Sequence, residues 1–134
     1  MAEKCSFIAD FRFSSEKDCI KAQKISEEIA EQNIIEGCRC ELERISYRPA
    51  MSLCDRNSEL LKRMNEIYSQ TGLPQLTSRT CLSGSDAAYI TAAGIPCVDN
   101  LGVDGKNIHS IYEYASLDSL AACAKRLAAV ACCI

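Results

Sequence analysis

The chain contains a single histidine, His109, and four of its six glycines, Gly84, Gly94, Gly102 and Gly105, cluster in the stretch that leads to it. Residues 81–114 read as strand, tight turn, short helix, strand, glycine loop and then histidine. Ser85 and Asp86 are helix-starting residue types placed directly after Gly84, and the helix is expected to stop at Gly94, ahead of Pro96. A glycine before a helix start leaves N–H groups pointing outward, an arrangement that suits an anionic ligand. The loop Gly102-Val103-Asp104-Gly105 then brings an imidazole alongside. Taken singly these residues say less. A lone histidine is more often a satisfied polar residue than a metal ligand, and Gly-Ser-Asp is more often a helix cap than a site.

The ten cysteines offer a different chemistry. None form a Cys-x-x-Cys pair, and Cys38 and Cys40 stand one residue apart. Alternate positions of a strand face one way, but a zinc ribbon needs a second pair that is missing. The N-terminal stretch has too short an apolar run for a secretory leader, and Asp10 interrupts it. A disulfide framework is therefore not expected, and the cysteines read as reduced, small, buried hydrophobes. The chain is 134 residues long, 48% hydrophobic and 25% charged, with a net charge of −3. That suits one modest globular core and argues against a nucleic-acid partner, which calls for a basic face. No run is long and apolar enough to span a bilayer, and a cytoplasmic location is expected.

The elements that must position these residues follow from periodicity. Residues 5–13 alternate, with Phe7, Ala9, Phe11 and Phe13 on one face, and read as a half-buried strand. Asp10 and Arg12 share the other face, where they can pair. Ser14 and Ser15 cap a helix expected over residues 16–32, with Cys19, Ile20, Ile25 and Ile29 as its apolar stripe. A second strand is expected over residues 38–47, broken at Arg48-Pro49-Ala50 because proline cannot donate to a ladder. Residues 51–57 turn polar and read as a linker. A helix is expected over residues 58–71, stopped by Gly72-Leu73-Pro74, and a short strand over residues 75–79. Ser116 caps a last helix, expected to be mostly buried against a sheet.

The string GSDAAYITAAGIPCVDNLGVDGKNIHSIYEYASLDSL, from Gly84 to Leu120, resembles the C-terminal part of the co-catalytic zinc exopeptidases, the family of carboxypeptidase G, glutamate carboxypeptidases, acetylornithine deacetylase and aminoacylase. There a G-[ST]-D-A turn and helix precede a G-I-P strand, a glycine loop and an H-S-x-x-E-Y motif. Ala9-Asp10-Phe11-Arg12-Phe13 resembles the A-D-x-R strand of the family's lid, or dimerisation, domain. Arg48-Pro49-Ala50 resembles its R-P-A motif. Two departures occur: residues 105–108 are bulkier than the usual glycine-rich loop, and no proline follows Ser110.

The resemblance implies an α/β fold: the second half of a lid domain, strand–helix–strand, over residues 1–50, then the C-terminal part of a catalytic domain over residues 51–134. It implies a zinc-dependent metallopeptidase or amidohydrolase acting on an amide bond next to a free carboxylate, in the manner of a glutamate carboxypeptidase, with a small peptide or N-acyl amino acid as substrate. His109 would ligate one of two zinc ions. Arg48 would grip the substrate carboxylate, Gly84 would lie beside it, and Arg12 would belong to the lid strand that faces substrate. Ser85 and Asp86 would cap the helix, and Glu113 and Tyr114 would pack or hydrogen-bond. The family's H-x-D motif and Glu-Glu pair, which supply most ligands and the general base, have no counterpart here. The expectation is a portion that is inactive alone, does not hold zinc by itself, and forms a homodimer or assembles with the missing N-terminal part. A non-enzymatic oligomerisation or peptide-binding module is the alternative.

Overall fold

The computed structural model describes residues 3–32 and 34–133. Among them are four helices, α1 (Glu16–Glu31), α2 (Asp55–Gln70), α3 (Ala87–Ala92) and α4 (Leu117–Cys133), and two short strands, β1 (Gly105–Lys106) and β2 (Tyr114–Ala115). The chain divides into two compact units: Met1–Ser52 with Thr80–Ala92, and Leu53–Arg79 with Ala93–Ile134. Residues 80–92 thus group with the N-terminal segment. No helix among the described residues is long and apolar enough to cross a membrane.

In the first unit, α1 forms where Ser15 caps it: the Ser15 hydroxyl accepts the Asp18 N–H at 3.2 Å, and Glu16 and Asp18 place negative charge at the helix start. Residues 44–47 run along this helix in the opposite sense. Arg44 Nη1 donates to Gln23 Oε1 at 3.1 Å and the Tyr47 hydroxyl to Glu16 Oε2 at 2.7 Å. Three extended residues cover roughly 10 Å, and the seven helical residues between the two partners cover about the same, so both bonds close without bending either segment. The Arg44 guanidinium also lies over the Tyr47 ring, 4.8 Å from its centre.

The expected strands at 5–13 and 38–47 are not formed; neither segment belongs to a ladder. Alternation gives a segment two faces, but a ladder needs a neighbour offering its own N–H and C=O groups. The apolar face of 5–13 is open, with Phe7 86% exposed and Phe11 60% exposed. Leu42 and Ile45 are likewise exposed. The expectation that the ten cysteines would be buried also needs correction. All are free thiols, but only Cys19 and Cys123 are buried, and six are exposed, because they sit largely on these unladdered segments and at the end of α4.

In the second unit, α2 packs on α4, with Met64, Ile67 and Tyr68 of α2 and Cys123 of α4 buried. The helix starts at Asp55, three residues before the expected start, so the polar residues 55–57 form its first turn instead of a linker. It ends in a Schellman turn: the Leu73 N–H donates to Tyr68 O at 2.8 Å and the Gly72 N–H to Ser69 O at 3.4 Å, with Gly72 at φ +70°. Two asparagines of α2 stand where strand neighbours were expected. Asn65 donates to Leu76 O at 2.9 Å and accepts from the Leu76 N–H at 2.8 Å, the same donor–acceptor pair that a neighbouring peptide group would present. Asn57, itself buried, accepts the Cys97 N–H at 2.9 Å. The last helix is less covered than expected: Leu117, Leu120 and Leu127 are exposed, since the sheet beside it is two residues long in each strand.

Candidate functional site

The clearest constellation lies in the first unit, around the turn at Gly84. Arg48 precedes Pro49, which biases its backbone to the extended region. The guanidinium lies against Gly84, so that a Cβ added there would collide with Arg48 Nη1. Only a glycine leaves room for this approach. Arg48 Nη2 also pairs with Asp86 Oδ1 at 3.3 Å. The residue before Arg48 is braced from two sides: Tyr47 bonds Glu16 through its hydroxyl, and its carbonyl accepts the Tyr89 hydroxyl at 2.9 Å from α3. The bond to Glu16 pushes the Tyr47 phenol up to about 12, with burial and the Glu16 charge adding to it.

Arg12 reaches the same turn. Its Nε pairs with Asp10 at 3.1 Å, as the shared strand face suggested, and its Nη1 donates to Leu82 O at 3.5 Å. Beside it, Cys81 Sγ is 2.7 Å from Ser83 Oγ and accepts the Ser83 N–H at 3.4 Å. These two bonds hold the thiol below its ordinary value, and the Arg12 charge acts in the same direction. The structure thus brings Arg12, Arg48 and Gly84 to one turn, together with Asp86 and Cys81. Of the two expected caps, Ser85 caps α3, its hydroxyl accepting the Ala87 N–H at 3.1 Å. The Asp86 side chain turns to Arg48 instead. Tyr47, Tyr89 and Cys81 were not singled out from sequence. The Cys-x-Ser spacing at 81–83 was a usable signal for the third; the first two depend on contacts 31 and 42 residues away.

His109 belongs to the second unit. Strands β1 and β2 pair antiparallel, Gly105 opposite Ala115 and Lys106 opposite Tyr114, and residues 107–113 form the loop between them. Ser110 organises this loop, donating from its hydroxyl to Asn107 O at 2.7 Å and accepting the Tyr112 N–H at 3.1 Å. Glu113 accepts the His109 N–H at 3.1 Å, the hydrogen-bonding role expected for it. His109 adopts φ +66°, an uncommon backbone for a residue with a side chain, and stands exposed. No group of three or more His, Cys, Asp or Glu side chains able to hold a metal ion occurs among the described residues. A zinc ion takes three or four protein ligands, so the imidazole at 109 does not by itself make a zinc site.

A family model for the peptidase family M20/M25/M40 matches residues 6–132, and the chain belongs to that family, a class of zinc exopeptidases. A curated relative is carboxypeptidase G2 of Pseudomonas sp. (strain RS-16), 27% identical over 113 residues, a stretch covering 84% of this chain and 27% of the relative. The chain therefore matches about a quarter of that protein's length. No solved structure matches it significantly.

Proposed function

We propose that this chain supplies the carboxylate-gripping part of a zinc exopeptidase of the glutamate-carboxypeptidase kind, which hydrolyses an amide bond next to a free carboxylate. Arg48 receives the terminal carboxylate of a small peptide or N-acyl amino acid. The Gly84 backbone forms the floor beside it, and Arg12 adds a second positive charge at the same turn. The observation that carries this reading is the guanidinium of Arg48 seated on a glycine and still half exposed, 47% by side chain. A planar fork so placed can give a ligand carboxylate paired, charge-assisted hydrogen bonds. His109 serves as one metal ligand, and the remaining ligands and the general base come from outside the described residues. The lid and catalytic parts divide near residue 50, and the free thiols suit a cytoplasmic location. The exposed apolar residues Phe7, Ile8, Leu42 and Ile45 support assembly, either with a second copy or with the rest of a longer polypeptide. They also favour the second reading, an oligomerisation module without catalysis.

The test uses the purified chain and two probes, N-acetyl-L-glutamate and its diamide, which carries no carboxylate, followed by NMR at the Gly84 amide and the Arg48 Nε–H. The acid is expected to shift both signals, the amide to shift neither, and Arg48→Gln to abolish the response. Equal responses to acid and amide would remove the carboxylate reading and leave the module. Metal analysis checks the other half: two equivalents of zinc held by the chain alone would contradict the incomplete ligand set.

A further inference from the structure

Asp86 carries a carboxylate to the same guanidinium that the proposed function gives to the substrate. The pair is a single contact, Nη2 to Oδ1 at 3.3 Å, between side chains that are 47% and 89% exposed. Both paired edges of a guanidinium, Nη1/Nη2 and Nε/Nη2, include Nη2. Nη2 carries two N–H groups, one on each edge, so the Asp86 carboxylate leaves a paired edge open but sets like charge beside any ligand carboxylate that uses the fork. On its other side, Nη1 rests against Gly84. Asp86 itself is free to leave: its side chain is almost wholly in water, and Ser85, not Asp86, gives the side-chain cap of α3.

We infer that Asp86 is a built-in competitor, an internal carboxylate that keeps Arg48 aimed across Gly84 in the empty state and opposes a ligand carboxylate arriving at the same guanidinium. The inference rests on the reading of Arg48 as the carboxylate receptor. It makes Asp86 an affinity-setting residue, which weakens ligand carboxylates at the fork by a common factor. Exposed ion pairs are weak, so the competition is a matter of severalfold in affinity, not of an on–off switch.

The experiment titrates N-acetyl-L-glutamate and, separately, acetate into the wild-type chain, Asp86→Asn and Arg48→Gln, reading dissociation constants from the Gly84 amide, with circular dichroism to show that each variant is folded. Asp86→Asn keeps the shape and removes the charge. It is expected to bind N-acetyl-L-glutamate about threefold more tightly, to bind acetate more tightly by a similar factor, and to show a shifted Arg48 Nε–H signal before any ligand is added. Unchanged or weaker binding by Asp86→Asn, with Arg48→Gln still abolishing it, would overturn the inference while leaving the proposed function standing. Binding that survives Arg48→Gln, or is absent from both the wild type and Asp86→Asn, would bring down the proposed function and the inference with it.

Discussion

Replacing Gly84 with alanine separates folding from ligand binding at the turn. The added Cβ collides with Arg48 Nη1 and comes to 3.5 Å from Arg48 Cζ and 3.6 Å from its Cδ. These atoms belong to the far end of a flexible, half-exposed side chain, so the guanidinium can swing away without disturbing backbone. Gly84 is not in the left-handed region, unlike Gly37, Gly72 and Gly94. Alanine is therefore compatible with its backbone and gains about 0.4–1 kcal/mol by restricting the unfolded chain. Against this stands the loss of the Arg48–Asp86 pair, an exposed contact of about 0–1 kcal/mol. The two offset each other, and the net change in stability is expected within about 1 kcal/mol, a few degrees in melting temperature for a chain of this size. Affinity for N-acetyl-L-glutamate, by contrast, should fall at least about tenfold, because the fork loses its seat and with it the paired geometry. Thermal melting followed by circular dichroism and an NMR titration measure the two quantities on one sample. A melting point lowered by ten degrees or more would show that Gly84 is a packing residue. An unchanged affinity would show that Arg48 does not need its glycine to hold a carboxylate, and the reasoning would fail.

Gly105→Ala should behave in the opposite way. There the new Cβ comes within 2.6 Å of the Tyr114 carbonyl oxygen, which is backbone held in the pair with β1 and cannot move aside. The expected cost is about 1–3 kcal/mol, as for other overpacked sites, with faster amide exchange at Ser116, whose N–H donates to Asp104 O at 2.8 Å. Retained protection there would mean that the glycine is not what lets the His109 loop close. The Tyr47 phenol gives a pH test. Its folded value is raised to about 12 from an ordinary value of about 10, so its hydrogen bond to Glu16 stabilises the first unit fully below pH 10. That contribution is lost as pH climbs toward 12. Ultraviolet titration should show one tyrosine ionising late, and Tyr47→Phe should remove both that late step and the alkaline loss of stability; a late step that persists in the variant would refute the assignment.

The helices were legible in the sequence because their signals are local. Ser15 ahead of Glu16 and Asp18, the Gly72-Leu73-Pro74 stop and Ser116 before the last helix each act within a turn of the residues they govern, and a helix forms at each of the four places where these start and stop signals and the apolar spacing called for one. The start of α2 was misread because Asp55, Arg56 and Asn57 look like a linker by composition. Yet Asp55 suits a helix start, and Asn57 is kept inside by a bond to a peptide group 40 residues away. The strands were not legible for the same reason in a stronger form. Alternation at 5–13 and 38–47 states which face is apolar, but not whether a neighbouring strand exists, and at Leu76 and Cys97 the partner turned out to be an asparagine side chain.

The turn at Gly84 shows how both kinds of information combine. Its residue types were visible in advance: a glycine, a serine that caps and an arginine fixed before a proline. What could not be read is which carboxylate Arg48 meets. Asp86 lies 38 positions along the chain from it and resembles any first-turn acid, whose usual place is at its own helix start. That place is taken by the Ser85 hydroxyl, which satisfies the N–H of Ala87. Asp86 is thereby released from capping and left with a free charge beside the strongest donor at hand. A small residue with a competent side chain at position 85 is therefore what permits the ion pair at position 86.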